Sequence, residues 1–279
     1  MPRRAAAFFA LAFAMSWAPW GAAIAVQAGP LQTVLFHAGG FGPLCAALIL
    51  SARAGTLAAW LRRLAVWRVS PGWYAFALLW PAFLALAASA LYAALGHELA
   101  PFDAGRALTA YLPTLLATAL IGGGNEEPGW RGYALPLLQD RLSPAAATLM
   151  LGLVWALWHL PLLGLSARIG AETMAPGRLA LVTAITVVSI TLHAFWYTWL
   201  WNRTASLLIC VLLHAGYNTA NSLLVLIPAP ELTGPGYLTP LLIMTGLLGV
   251  SVALLLSATR GRLGREPQAR SGGAGQGRK

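Results

Sequence analysis

Eight times along this 279-residue chain, an apolar run of about twenty residues ends at glycine, proline or a charged side chain. The runs are Ala5 to Val26, Thr33 to Ser51, Gly72 to Leu95, Ala107 to Gly122, Pro144 to Leu163, Leu179 to Trp199, Thr204 to Leu226 and Leu238 to Ala258. Backbone polar groups cannot stay unpaired in hydrocarbon, so each run must be helical. The sequence therefore predicts an all-α, polytopic membrane protein of about eight transmembrane helices. Composition agrees: 58% of the residues are hydrophobic and only 9% charged, whereas a soluble domain carries roughly a quarter charged residues.

A net charge of +10 raises the question of nucleic acid, but the arginines lie between apolar runs and in the tail, where membrane topology explains them better. With the N-terminus inside, all but three of the 18 basic residues fall on the cytoplasmic side, the exceptions being Arg106, Arg168 and Arg178. That imbalance follows the positive-inside rule, and the chain is expected in the plasma membrane with both termini cytoplasmic. The first run is read as a retained helix, since it is too long for a typical signal core. Residues 1–106 then hold three N-terminal spans, 107–227 a helical core and 228–259 a last span. Residues 260–279, rich in Gly and Arg, form a basic tail expected to be disordered. Cys45 and Cys210 lie in apolar runs, as small hydrophobes do. The tryptophans near span ends, Trp17, Trp20, Trp73, Trp199 and Trp201, read as interfacial anchors.

Ionisable side chains inside a span cost about 2.5–3.5 kcal/mol each on insertion scales, so each needs a reason. Three groups stand out. In the stretch Asn125 to Arg131, a helical backbone would pair Glu127 with Arg131 four residues on and aim Glu126 elsewhere. A carboxylate in a poorly solvated cavity is suited to taking a proton from water; a solvated helix end is the plainer reading. His159 lies deep in an aromatic span, where packing is the plainer role. His214 and Asn218, four apart, share one helical face with Asn221 and must line a cavity or bond a neighbouring helix. His193 is assigned to packing, and His37 and His97 receive no functional assignment.

Taken in order, Glu126-Glu127-x-x-x-Arg131, Trp155-x-x-x-His159 and His214-x-x-x-Asn218 resemble the three motifs of the CPBP family. These are the type II CAAX prenyl endopeptidases and their bacterial relatives, also called the Abi family. The resemblance covers about Leu115 to Leu226. Trp155 stands where the family usually has Phe, a change expected to touch packing and not chemistry, and Pro128 interrupts the first motif. The resemblance implies an intramembrane endopeptidase acting on a membrane-associated, CAAX-type or otherwise lipidated peptide. Glu126 and His159 would activate water, His214 and Asn218 would stabilise the oxyanion, and Glu127 with Arg131 would brace the site. A divalent metal, zinc held by His159 and His214 with Glu126 nearby, is the second scheme the resemblance allows. The motifs are expected to converge in the cytoplasmic half of the membrane. A proton-coupled transporter and a non-catalytic immunity or scaffold protein are the alternatives to a protease, with membrane lipid the surrounding partner in every case.

Overall fold

Each apolar run named above is helical over most of its described length in the computed structural model, which describes residues 3–162, 175–233 and 235–266. No strand occurs among the described residues. Among the described residues six helices are long and apolar enough to cross a membrane, a pair bent by 45° makes a seventh, and Leu207–Leu223 is an apolar helix of only 17 residues. The count of eight is thus approximate: one span is broken and one is short. The elements are α1 (Arg3–Ala25), α2 (Pro30–Gly40), α3 (Gly42–Arg53), α4 (Leu57–Leu64), α5 (Pro71–Ala94) and α6 (Ala104–Ile121). A helical run over residues 124–139 is α7, and after it come α8 (Pro144–Trp158), α9 (Pro176–Thr204), α10 (Leu207–Leu223) and α11 (Leu238–Thr259).

Local chemistry explains the breaks. The bend between α2 and α3 falls at Gly40-Phe41-Gly42-Pro43, where proline removes a backbone donor. Asp103, Ser143 and Ser206 cap α6, α8 and α10, each side chain accepting a backbone N–H of the first turn. Leucines such as Leu108, 85% exposed, cover the outside; in water so many exposed leucines would be costly, whereas lipid is their natural solvent.

The centre is aromatic. Trp20 lies 4.5 Å from Trp158, which packs edge-on to Trp130, and Trp130 meets Phe8 at 5.5 Å. Trp20 and Trp201 are therefore buried in the bundle and are not the interfacial anchors expected of them; Trp17, by contrast, stays 39% exposed. Proximity to a span end along the chain says little about depth when the helix leans inward.

One end of the bundle gathers the arginines. There Arg63 of α4 donates to the carbonyl of Gly132, Arg265 to that of Gln139, and Ser206 to that of Val66. Burial lowers the pKa of the Arg63 guanidinium. The start of the expected disordered tail is held at this end: Leu263 is buried and its carbonyl accepts from Asn202 at 2.9 Å. One apolar residue in a Gly/Arg-rich stretch is too small a signal to set 260–266 apart from the rest of the tail, and residues 267–279 lie outside the described part. The opposite end is tied by Ala100 N donating to Leu226 O at 2.8 Å and by Gln32 donating to Ala23 O at 3.1 Å.

Candidate active site

α7 is assembled from unlike turns, and this irregularity sets the site. A 3-10 turn, Gly124–Glu126, leads into an α turn, Glu127–Gly129, then a π turn, Trp130–Ala134, and a last α turn, Leu135–Gln139. Pro128, the residue that interrupts the motif, sits within the first two positions of the α turn, where its missing N–H costs nothing. Its carbonyl accepts from Trp60 at 3.1 Å. Insertion of a π turn is a recurrent way for a helix to re-aim side chains at a functional site.

Ahead of α7, Gly123 adopts φ +128, a conformation that a side chain resists. A Cβ there would stand 2.5 Å from His214 Nε2 and 2.9 Å from Asn218 Nδ2, so this glycine lets the backbone pass directly against both motif residues of α10. Asn125 locks the turn: its Oδ1 accepts from Gly123 N at 3.0 Å and its Nδ2 donates to Gly40 O at 3.0 Å. Asn125 was not singled out from sequence, although it belongs to the first motif stretch.

The two glutamates part as the helical spacing predicts. Glu127 pairs with Arg131 at 3.0 Å, both wholly buried, and its Oε1 also accepts from His214 Nδ1 at 2.8 Å. The guanidinium of Arg131 is sandwiched between the rings of Trp155 and Tyr197, 4.5 and 4.3 Å from their centroids, so part of its charge is met by two aromatic faces. Glu126 points away from this pair, and its Oε2 accepts from Trp155 Nε1 at 2.7 Å and from Trp130 Nε1 at 3.3 Å. The expectation that Trp155 concerns only packing is therefore wrong: its indole N–H reaches the carboxylate, which no phenylalanine could do.

Four imidazoles, those of His37, His159, His193 and His214, line the same space. His159, capping the end of α8, has Nδ1 2.8 Å from the carbonyl of Trp155, and His193 has Nδ1 2.8 Å from that of Ser189. A carbonyl only accepts, so each Nδ1 carries the proton and each neutral ring keeps a bare Nε2. Asn218 donates one N–H to Gly122 O at 2.8 Å and keeps a second.

Glu126, His159, His214 and Asn218, from three separated stretches of sequence, line one cavity of about 300 Å³ together with Asn221 and Tyr197. Glu127 and Arg131 stand behind it. His193, assigned to packing, does pack edge-on against Tyr217 at 4.3 Å but also lines the cavity, as does His37. Among the described residues no three His, Cys, Asp or Glu side chains gather closely enough to hold a metal ion. Glu126 Oε2 is already taken by two indole donors, which leaves its Oε1 and the Nε2 of His159 as the open donor atoms. His159 comes at the end of α8, about 22 Å of helix beyond Pro144, whereas His214 comes seven residues into α10, roughly 10 Å beyond Leu207.

A family model falls on these helices. Residues 107–220 match the family model of the type II CAAX prenyl endopeptidases, described as Rce1-like. A 62-residue stretch is 39% identical to "CAAX prenyl protease 2" of Methanococcus maripaludis, a match spanning 22% of this chain and 23% of that protein's length. The matched region carries all three motifs and every helix that supplies a motif side chain to the cavity. The helical core, residues 107–220, is thus similar to the type II CAAX prenyl endopeptidase (CPBP) family, and the chain spans about a quarter of the length of the curated relative it matches.

Proposed function

We propose that this protein is an intramembrane endopeptidase that hydrolyses a peptide bond of a membrane-associated substrate without a metal ion. The observation that carries the proposal is the convergence of Glu126, His159, His214 and Asn218 on one cavity, with His214 oriented by the buried Glu127–Arg131 pair.

Glu126 and the bare Nε2 of His159 take a proton from a water molecule as it attacks the scissile carbonyl. Two indole donors anchor one oxygen of Glu126, leaving the other to accept the proton. The carbonyl oxygen becomes an oxyanion. His214, protonated at Nε2 while Glu127 neutralises its charge, and the free N–H of Asn218 donate to it. Collapse of the tetrahedral intermediate breaks the C–N bond, and the proton held by His159 or Glu126 passes to the leaving amine. Removal of one oxyanion donor in such a site costs about 10²–10³ in kcat.

The test is direct. Wild type, Glu126→Ala and His214→Ala are purified in detergent and compared on prenylated and plain peptides. Cleavage by wild type and loss in both variants is expected; cleavage that persists in both overturns the assigned chemistry.

A further inference from the structure

A second pocket, of about 480 Å³, lies at the arginine-rich end and shares no lining residue with the motif cavity. Separate parts of the chain build it: Arg62 and Arg63 of α4, Gln139 and Asp140 at the end of α7, Trp201 of α9, and Arg265 after α11. Its charge is not balanced from within. Three guanidinium groups line it against one carboxylate, and among the described residues no Asp or Glu oxygen lies within ion-pair distance of Arg62, Arg63 or Arg265. Arg63 and Arg265 each donate one N–H to a backbone carbonyl, that of Gly132 and that of Gln139, which fixes both side chains and leaves each further N–H donors.

An independent feature also points to a ligand. Gln139 is only 8% exposed, yet its amide Nε2 donates to no described group. A buried donor without an acceptor is costly, and one on a pocket wall calls for an acceptor from outside the chain. Guanidinium and amide N–H groups only donate, so the partner that serves them all is an anion with several oxygens. Phosphate is such an anion, and its edge matches the fork of an arginine.

From this set of donors we infer that the pocket binds a phosphate group, carried by an anionic phospholipid or present as free phosphate. The surroundings favour the lipid. At eight residues α4 is too short to span a bilayer; it buries Trp60 and leaves Leu61 and Leu64 exposed beside Arg62, as helices lying between lipid and water do. Headgroup phosphates sit at that level. The site is independent of the proteolytic reading, although it adjoins the catalytic helix: Arg63 bonds the carbonyl of the residue after Arg131, so a bound phosphate ties α4 to the π turn of α7.

The test follows the melting temperature of the full-length protein in neutral detergent as ligand is added. Wild type is titrated with short-chain phosphatidylglycerol, with phosphatidylcholine of the same chain length and with inorganic phosphate. A saturable rise with phosphatidylglycerol that phosphatidylcholine does not give is expected, since a ligand of the folded state stabilises it. If inorganic phosphate gives the rise and phosphatidylglycerol adds nothing, free phosphate is the source. No saturable rise with either anion, or an equal rise with phosphatidylcholine, overturns the inference. Arg62→Gln/Arg265→Gln is expected to weaken the apparent affinity about tenfold or more, whereas Arg53→Gln/Arg68→Gln, which removes the same charge from exposed positions outside the pocket, should change it less than about twofold. Equal losses in the two pairs would mean diffuse attraction to a basic surface and overturn it too. Gln139→Glu places a carboxylate among the arginines and is expected to abolish the response. A Gln139→Glu protein that responds like wild type overturns the inference, and this variant decides alone if the arginine pair does not fold.

Discussion

The indole Nε1 of Trp155 stands 2.7 Å from Glu126 Oε2, while the same ring lies 4.5 Å from the guanidinium carbon of Arg131. One side chain thus touches both halves of the first motif, holding the glutamate assigned as base by its N–H and the bracing cation by its face. Trp155→Phe keeps the face and deletes the donor. It is expected to fold normally in detergent and to lose up to about tenfold in kcat/KM, the equivalent of about 1.4 kcal/mol of transition-state stabilisation. Trp155→Leu, which removes both contacts, is expected to lose activity further and to melt at lower temperature. Equal activity of Trp155→Phe and wild type would show that the donor does not position Glu126.

The Glu127–Arg131 pair is wholly buried, so its value is best measured by breaking it from each side. Arg131→Ala leaves the buried Glu127 carboxylate with His214 as its one remaining hydrogen-bond partner, a loss of up to about 3–5 kcal/mol in comparable pairs. Glu127→Gln leaves the arginine between two aromatic rings and is expected to be milder for folding. It removes the charge that steadies a protonated His214, so kcat should fall while the melting temperature in detergent moves little. In the double variant Glu127→Gln/Arg131→Met no buried charge is stranded, and it should be more stable than Arg131→Ala. The reverse order would mean that the pair contributes net stability and not only orientation.

Much of this site was legible before any coordinates. Helical spacing alone separated Glu126 from the Glu127–Arg131 pair and placed His214, Asn218 and Asn221 on one stripe, because three- and four-residue offsets are local facts. The indole bonds from Trp130 and Trp155 to Glu126 were not legible, since one of them crosses between helices and a tryptophan in a lipid-facing chain has many plainer uses. Trp20 misled for the same reason: its position near a span end gave no hint that α1 leans its last turns against α8. His193 was given a packing role that its contact with Tyr217 supports, yet its depth on α9 also sets it on the cavity wall. Depth in the membrane was not legible either. The side of the membrane on which three motifs meet depends on how far each helix has run by the time it reaches its motif residue, which hydropathy does not report.

Metal dependence gives a prediction that requires no mutation. In the proposed scheme the Nε2 of His159 and the free oxygen of Glu126 take the proton from water, so no step uses a metal ion. Prolonged chelation of the purified enzyme, with metal analysis afterwards, is expected to leave peptide cleavage unchanged. A rate that falls with chelation and returns with stoichiometric zinc would replace the proposed water activation by a metal-bound one.

Gly123 offers the sharpest separation of activity from folding. Its φ of +128 belongs to a region that side chains avoid, at a cost of about 1–3 kcal/mol, and a Cβ would press within 2.5 Å of His214 Nε2. Gly123→Ala must either push His214 off Glu127 or unwind the turn that carries Asn125. Either movement displaces an oxyanion donor by about an ångström, a misplacement that can cost about 10² in rate. The variant is therefore expected to insert into the membrane and remain a folded helical protein while losing peptide cleavage by about that factor. Gly21→Ala, in the same protein and with nothing near its added methyl, should be silent in both measurements. If Gly123→Ala cleaves as well as Gly21→Ala, the close approach of this turn to His214 has no part in catalysis.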